Sequence, residues 1–170
     1  GRDFASVVTW AGKMGRQVAE ALAAAEGMHP VAFLDAMATT GKIDHLPVFT
    51  DPEACFIEKE PDVVIDFTNA EWTPGLAEAA LARNVRMVIG TTGLSAEFMT
   101  WLEKEAAARK VGVVVAANFA IGAVLMMHFA QQAARFFDNA EIIELHHDQK
   151  VDSPSGTATT TAELMRAARE

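Results

Sequence analysis

The chain has 170 residues, 51% of them hydrophobic, and a formal net charge of −9. That length allows a packed core in one domain, or in one domain with a small attachment, and the acidic balance argues against nucleic acid and anionic membranes as partners. The single cysteine, Cys55, excludes an internal disulfide and has no neighbouring ligand residues to suggest a metal; no apolar run approaches a membrane span and Gly1-Arg2-Asp3-Phe4 carries no signal pattern, so a cytoplasmic location is the default.

Along the chain, apolar β-rich runs alternate with helical ones. Phe4 to Thr9 precedes a helix over Gly12 to Ala25, and Val31 to Leu34 forms the next strand. After a mixed segment, Val63 to Phe67 pairs with Thr73 to Arg83, Val85 to Ile89 with Ser95 to Arg109, and Val111 to Ala116 with Ile121 to Phe137. The pattern predicts an α/β fold, a Rossmann-like doubly wound parallel sheet. Val63-Val64-Ile65 and Val113-Val114-Val115 are continuously apolar, as expected for strands covered on both faces. The segment from Ala36 to Glu60, with Pro47 and Pro52 and weak periodicity, reads as loop with one short strand or helix. Composition changes near Asn139, which predicts a nucleotide-binding domain over 1–138 and the start of a smaller α+β substrate domain over 139–170.

Ligands in such sheets bind beyond the strand C-termini. Thr9-Trp10-Ala11-Gly12-Lys13-Met14-Gly15 occupies the slot of the dinucleotide fingerprint, with Thr9 at its first position and the last two glycines in place. Asp35, at the end of the next strand, suits a ribose diol. Ala36 and Met37 follow it rather than an arginine, which favours NADH over NADPH, although Lys13 or Lys42 could help hold a 2′-phosphate. Gly90-Thr91-Thr92-Gly93 and Ala116-Ala117-Asn118-Phe119 fall on the same sheet edge, where they are either plain turns or the lining of a nicotinamide pocket, and Ser95 suits the N-cap of the helix after the first of them.

The richest stretch is Glu144 to Thr157. Ile142, Ile143 and Leu145 lead into it as a short strand, and Ser153-Pro154-Ser155-Gly156 is a turn opening the amphipathic segment Thr157 to Arg169. Backbone N–H groups at a helix start make a carboxylate or phosphate site, Gly156 permits close approach, and Lys150 adds a full positive charge. His146 and His147 point to opposite faces of a strand, so they do not chelate one metal, and no metal site is expected. His29, His45 and His128 read as having no ligand role.

These motifs resemble the 4-hydroxy-tetrahydrodipicolinate reductase family, also called dihydrodipicolinate reductases, of the diaminopimelate route to lysine. The resemblance rests on Gly12-Lys13-Met14-Gly15, Val64-Ile65-Asp66-Phe67-Thr68, Val88 to Gly93, Asn118 to Gly122 and above all Glu144 to Thr157. It implies His146 as proton donor or relay, Lys150 as catalytic cation, and His147, Ser155, Gly156 and Thr157 as the groups that hold the substrate carboxylates. On the cofactor side it implies Gly12, Lys13 and Met14 at the pyrophosphate, Asp35 at the ribose, and Gly90, Thr91, Thr92, Ala116, Asn118 and Phe119 around the nicotinamide of NADH or NADPH; Thr9 joins them as the first fingerprint residue. The family has glycine and a small residue where Thr9 and Trp10 stand. It also continues its substrate domain well past the Ser-Gly-Thr helix and forms homotetramers, so this chain is expected to lack a C-terminal part. A different nicotinamide-dependent oxidoreductase and a non-catalytic dinucleotide-binding module are the alternatives.

Overall fold

In a computed structural model the described residues are 3–9, 13–146 and 153–169, excluding the side chain of Lys13. The chain divides into two compact units, 1–115 and 116–170. In the first, the elements run β1 (Phe4–Thr9), α1 (Lys13–Ala24), β2 (Met28–Leu34), β3 (Lys42–Ile43), β4 (Leu46–Phe49), α2 (Pro52–Lys59), β5 (Val63–Asp66), α3 (Thr73–Ala82), β6 (Arg86–Ile89), α4 (Ala96–Arg109) and β7 (Val113–Val115). The sheet order is β3-β4-β2-β1-β5-β6-β7, parallel throughout except for the β3–β4 hairpin. Strand order reverses at β1, so the crevice beyond the β1 and β5 ends is where this architecture takes ligands.

The continuous apolar runs divide their side chains between two cores, as alternation along a strand requires. Val7, Ala32, Leu34 and Val64 face a core shared with Leu76, Leu81 and Leu102, while Val8, Phe33, Val63 and Ile65 face a second shared with Ala19 and Leu22. Both faces of the central strands are therefore buried, which is why they show no polar alternation. At the sheet edge β7 departs from the expectation, since Val113 and Val115 pack on the first core while Val114 is 53% exposed. Cys55 belongs to the first core; burial pushes its thiol up to about 12, so it is a packing residue and stays protonated at neutral pH.

The segment 36–60 holds more regular structure than its sequence suggests. Asp44 and His45 both take positive φ, 48° and 68°, and close a tight hairpin between Ile43 and Leu46. Asp51 then caps α2, accepting from the Glu53 and Ala54 amides at 3.1 and 3.3 Å, with Pro52 at the helix start, where its missing N–H costs nothing. Ser95 caps α4 as expected, accepting from the Phe98 amide at 3.1 Å.

The second unit contains α5 (Ile121–Ala133), a 3₁₀ turn (Ala134–Phe136) and α6 (Gly156–Ala167), with α5 packed on α6. This unit begins at Ala116, whereas the composition change lies near Asn139. Arg169 ties the end of α6 to the turn after α5, donating to the Ala134 and Phe137 carbonyls at 3.1 and 2.9 Å. Ile142, Ile143 and Leu145, expected as a strand, are in irregular backbone; no strand lies beside them among the described residues, and an extended segment without a partner forms no ladder. No helix among the described residues is long and apolar enough to cross a membrane.

Candidate functional site

The first unit gathers polar groups at the C-terminal ends of its central strands. Asp66 ends β5 with its carboxylate fully buried. It accepts from the Thr9 hydroxyl at 2.9 Å, the Thr68 amide and hydroxyl at 3.1 and 2.7 Å, the Thr73 hydroxyl at 2.5 Å and the Thr91 hydroxyl at 3.2 Å. These donors come from the ends of β1, β5 and β6 and the start of α3. One buried carboxylate therefore fixes the rim on which a ligand would rest.

Thr9 is fully buried, and its hydroxyl also accepts from the Phe67 amide at 3.0 Å. Its side chain thus holds the ends of β1 and β5 together. The β-branched residue is accommodated because it remains strand here, whereas the fingerprint glycine serves a tight turn. Thr91 likewise donates its hydroxyl hydrogen to Asp66.

A cleft of about 680 Å³ opens beside this rim, lined by Asp35, Ala36 and Met37 after β2 and by Phe67, Thr68, Asn69, Glu71 and Trp72 after β5. One oxygen of the Asp35 carboxylate accepts from the Met37 amide at 2.9 Å, holding the turn that follows β2. Across the β5–β6 ends, Phe67 lies against Gly90. A Cβ built at Gly90 would fall on the Phe67 ring, 2.5 Å from Cδ1 and closer still to Cε1. Gly90→Ala is expected to lower stability by about 1–3 kcal/mol through this overpacking. Urea unfolding measures it, and an unchanged midpoint would mean the ring swings aside freely. Met14 is partly exposed on the first turn of α1, and Thr92 is half-buried after β6. Gly12 lies outside the described residues, as does the side chain of Lys13.

In the second unit, α6 begins at Gly156 with Ser155 as its N-cap; the Ser155 hydroxyl accepts from the Ala158 amide at 3.1 Å. The first backbone bond of the helix runs from the Thr159 amide to the Ser155 carbonyl, so the Gly156 and Thr157 amides have no acceptor among the described residues. Thr161 returns its hydroxyl to the Thr157 carbonyl at 2.7 Å. The Asn118 amide donates to the Thr157 hydroxyl at 3.1 Å, and its oxygen accepts from the Ala120 amide at 2.8 Å. Two residues expected on different sides of the reaction, Asn118 and Thr157, are thereby joined. Ala116 is half-buried at the start of this unit, and Phe119 is 43% exposed.

Glu144 supplies the contact that sequence reading missed. Its Oε1 accepts from the Ser155 amide at 2.8 Å, and its Oε2 lies 3.7 Å from His146 Nδ1. His147 and Lys150 lie outside the described residues. No group of three or more metal-ligating side chains occurs among the described residues.

Comparison with known proteins bears on both units. The family model "Dihydrodipicolinate reductase, N-terminus" matches residues 6–119, and "Dihydrodipicolinate reductase, C-terminus" matches 122–170. The chain is 42% identical over 164 residues to a 4-hydroxy-tetrahydrodipicolinate reductase of Dehalococcoides mccartyi, covering 93% of this chain and 62% of that protein. It is 45% identical over 165 residues to the Moorella thermoacetica protein of the same name, covering 92% and 62%. Among solved structures, a dipicolinate-bound dihydrodipicolinate reductase from Paenisporosarcina sp. TG-14 superposes with a TM-score of 0.82 at 38% identity, covering 98% of this chain and 67% of that one. An NAD-binding protein from Listeria innocua shares the fold at 17% identity and a TM-score of 0.65, covering 79% of this chain and 40% of that one. The chain thus spans about three-fifths of the length of the curated relatives it matches.

Proposed function

Because the chain belongs to the dihydrodipicolinate reductase family, we propose that it serves the NADH- or NADPH-dependent reduction of 4-hydroxy-tetrahydrodipicolinate to tetrahydrodipicolinate, in the diaminopimelate route to lysine. The observation that carries this reading is the α6 start: a capped helix whose Gly156 and Thr157 amides find no acceptor among the described residues, linked to His146 through Glu144. Such a helix start binds a carboxylate through its N–H groups and its partial positive charge.

The first unit suits a dinucleotide. Its cleft lies at the strand-order reversal, Asp35 lines it and would accept from a ribose diol, and Asp66 braces the rim. In this reading Gly12, Lys13 and Met14 serve the pyrophosphate, while Gly90, Thr91, Thr92, Ala116, Asn118 and Phe119 serve the nicotinamide end. A bound reduced nicotinamide supplies a hydride. The residues of this chain do the rest: Ser155, Gly156, Thr157 and His147 orient the dicarboxylate, Lys150 offsets the negative charge that builds on the reduced ring, and His146 delivers or relays the proton. A cytoplasmic location and a homotetramer go with the same reading.

NADH is the better fit. Asp35 and Glu71 both line the cleft, and no lysine or arginine stands among its described lining residues, so a 2′-phosphate would meet acidic neighbours there. Titration followed by NADH fluorescence is expected to saturate well below millimolar cofactor, with NADPH binding more weakly. Failure to saturate with either at millimolar concentration would leave a non-catalytic module as the better description.

A further inference from the structure

We propose that Glu144 is a positioning residue that sets the α6 turn and His146 as one piece, an inference that rests on the reductase reading for its kinetic consequences. The geometry begins at the helix cap. A serine N-cap is often completed by a glutamate three residues later, whose side chain reaches back to the N-cap amide. In α6 that position is Ala158, which has no side-chain acceptor. The Ser155 amide instead donates to Glu144 Oε1 at 2.8 Å, from a residue eleven positions upstream. Glu144 therefore completes the cap from outside the helix.

That substitution ties two segments together. A capping glutamate within the helix would fix only its own first turn. Glu144 sits in irregular backbone before His146, so the same bond anchors the segment carrying the proposed proton donor to the turn carrying Gly156 and Thr157. The second oxygen extends the link: Oε2 lies 3.7 Å from His146 Nδ1, beyond hydrogen-bond range but within the reach of a carboxylate's charge. Neither side chain is fully exposed, at 25% for Glu144 and 40% for His146. A negative group near a helix N-terminus is itself favourable. The two oxygens thus have separable tasks, one geometric and one electrostatic.

Two substitutions separate them. Glu144→Gln keeps an oxygen that can accept from the Ser155 amide and removes the charge beside His146; Glu144→Ala removes both. Pyridine-2,6-dicarboxylate, a planar mimic of the substrate, is the binding probe, measured by calorimetry with NADH present. Glu144→Gln is expected to bind it within about twofold of wild type while kcat falls about tenfold, since a proton donor loses its electrostatic support. Glu144→Ala is expected to raise both the dissociation constant and KM about tenfold, with kcat at least as low. Amide exchange at Ser155 needs no substrate: it should be faster in the alanine variant and close to wild type in the glutamine variant. An alanine variant that binds like wild type, or a glutamine variant with wild-type kcat, would overturn the proposal. If the alanine variant does not fold, the glutamine variant decides. Should wild type neither bind the mimic nor turn over, the reductase reading fails, and Ser155 exchange alone then supports or overturns the Glu144 link.

Discussion

Replacing Lys150 with alanine is expected to lower turnover by about a hundredfold or more, the range for removing a charge stabiliser or a general acid. The chain carries a formal net charge of −9, and its proposed substrate is a dicarboxylate, so binding and reaction both need a local cation. Lys150 follows His146 by four residues and precedes Ser155 by five, which puts the cation between the proposed proton donor and the proposed anion-binding turn in sequence. The reduced ring gains negative charge before it is protonated, and a lysine ammonium stabilises that charge more than it stabilises the ground state. The effect should therefore fall on kcat as well as on KM. NADH affinity should be little changed, because Lys150 is assigned to the substrate and not to the cofactor. Steady-state kinetics beside an NADH titration make the check, and near-normal turnover would remove Lys150 from the mechanism.

The second large effect is on stability. Asp66→Ala is expected to destabilise the first unit by about 3–5 kcal/mol, because removing a buried carboxylate strands the donors that point at it. Four hydroxyls and one amide donate to Asp66, and Thr9, Thr73 and Thr91 are themselves buried, so water cannot replace the lost acceptor without opening the strand ends. A carboxylate is suited to this place because its two oxygens only accept; their roughly four lone-pair sites are shared among the five donors, three on Oδ1 and two on Oδ2. Asparagine keeps the volume but turns an N–H₂ towards some of those donors, so Asp66→Asn should be intermediate. A loss of that size lowers the melting temperature by roughly 10 °C in a domain of this length. Thermal unfolding tests it, and a melting temperature near wild type for Asp66→Ala would mean the threonines find other partners.

The parts of the fold that were legible in sequence are those set by a repeating pattern. Continuous apolar strands such as Val63-Val64-Ile65 signal burial on both faces, and Ser95 and Ser155 signal helix starts; all of these stand in the structure. Elements made by less common residues were not legible. The β3–β4 turn uses Asp44-His45, where asparagine-glycine is the usual mark of such a hairpin. Pro52 suggests a break, yet after a capping Asp51 it starts a helix. Ile142, Ile143 and Leu145 have strand composition, but a strand also needs a neighbour, which composition does not reveal.

The candidate site divides in the same way. Asp35, Ser155, Gly156 and Thr157 could be placed by their position at strand ends and a helix start. Asp66 and Glu144 could not, because their partners are remote in sequence. The Asp66 donors Thr9, Thr73 and Thr91 belong to separate elements, and none forms a local motif with it. Glu144 left one faint sign, a serine N-cap with alanine where a glutamate would complete the box.

The most direct test of the central claim is cofactor oxidation by this chain, followed with freshly generated 4-hydroxy-tetrahydrodipicolinate and NADH. Oxidation that depends on the dicarboxylate, and that pyridine-2,6-dicarboxylate inhibits competitively against it, is the expected result. Saturable NADH binding with no substrate-dependent oxidation, and no binding of the mimic, would contradict it.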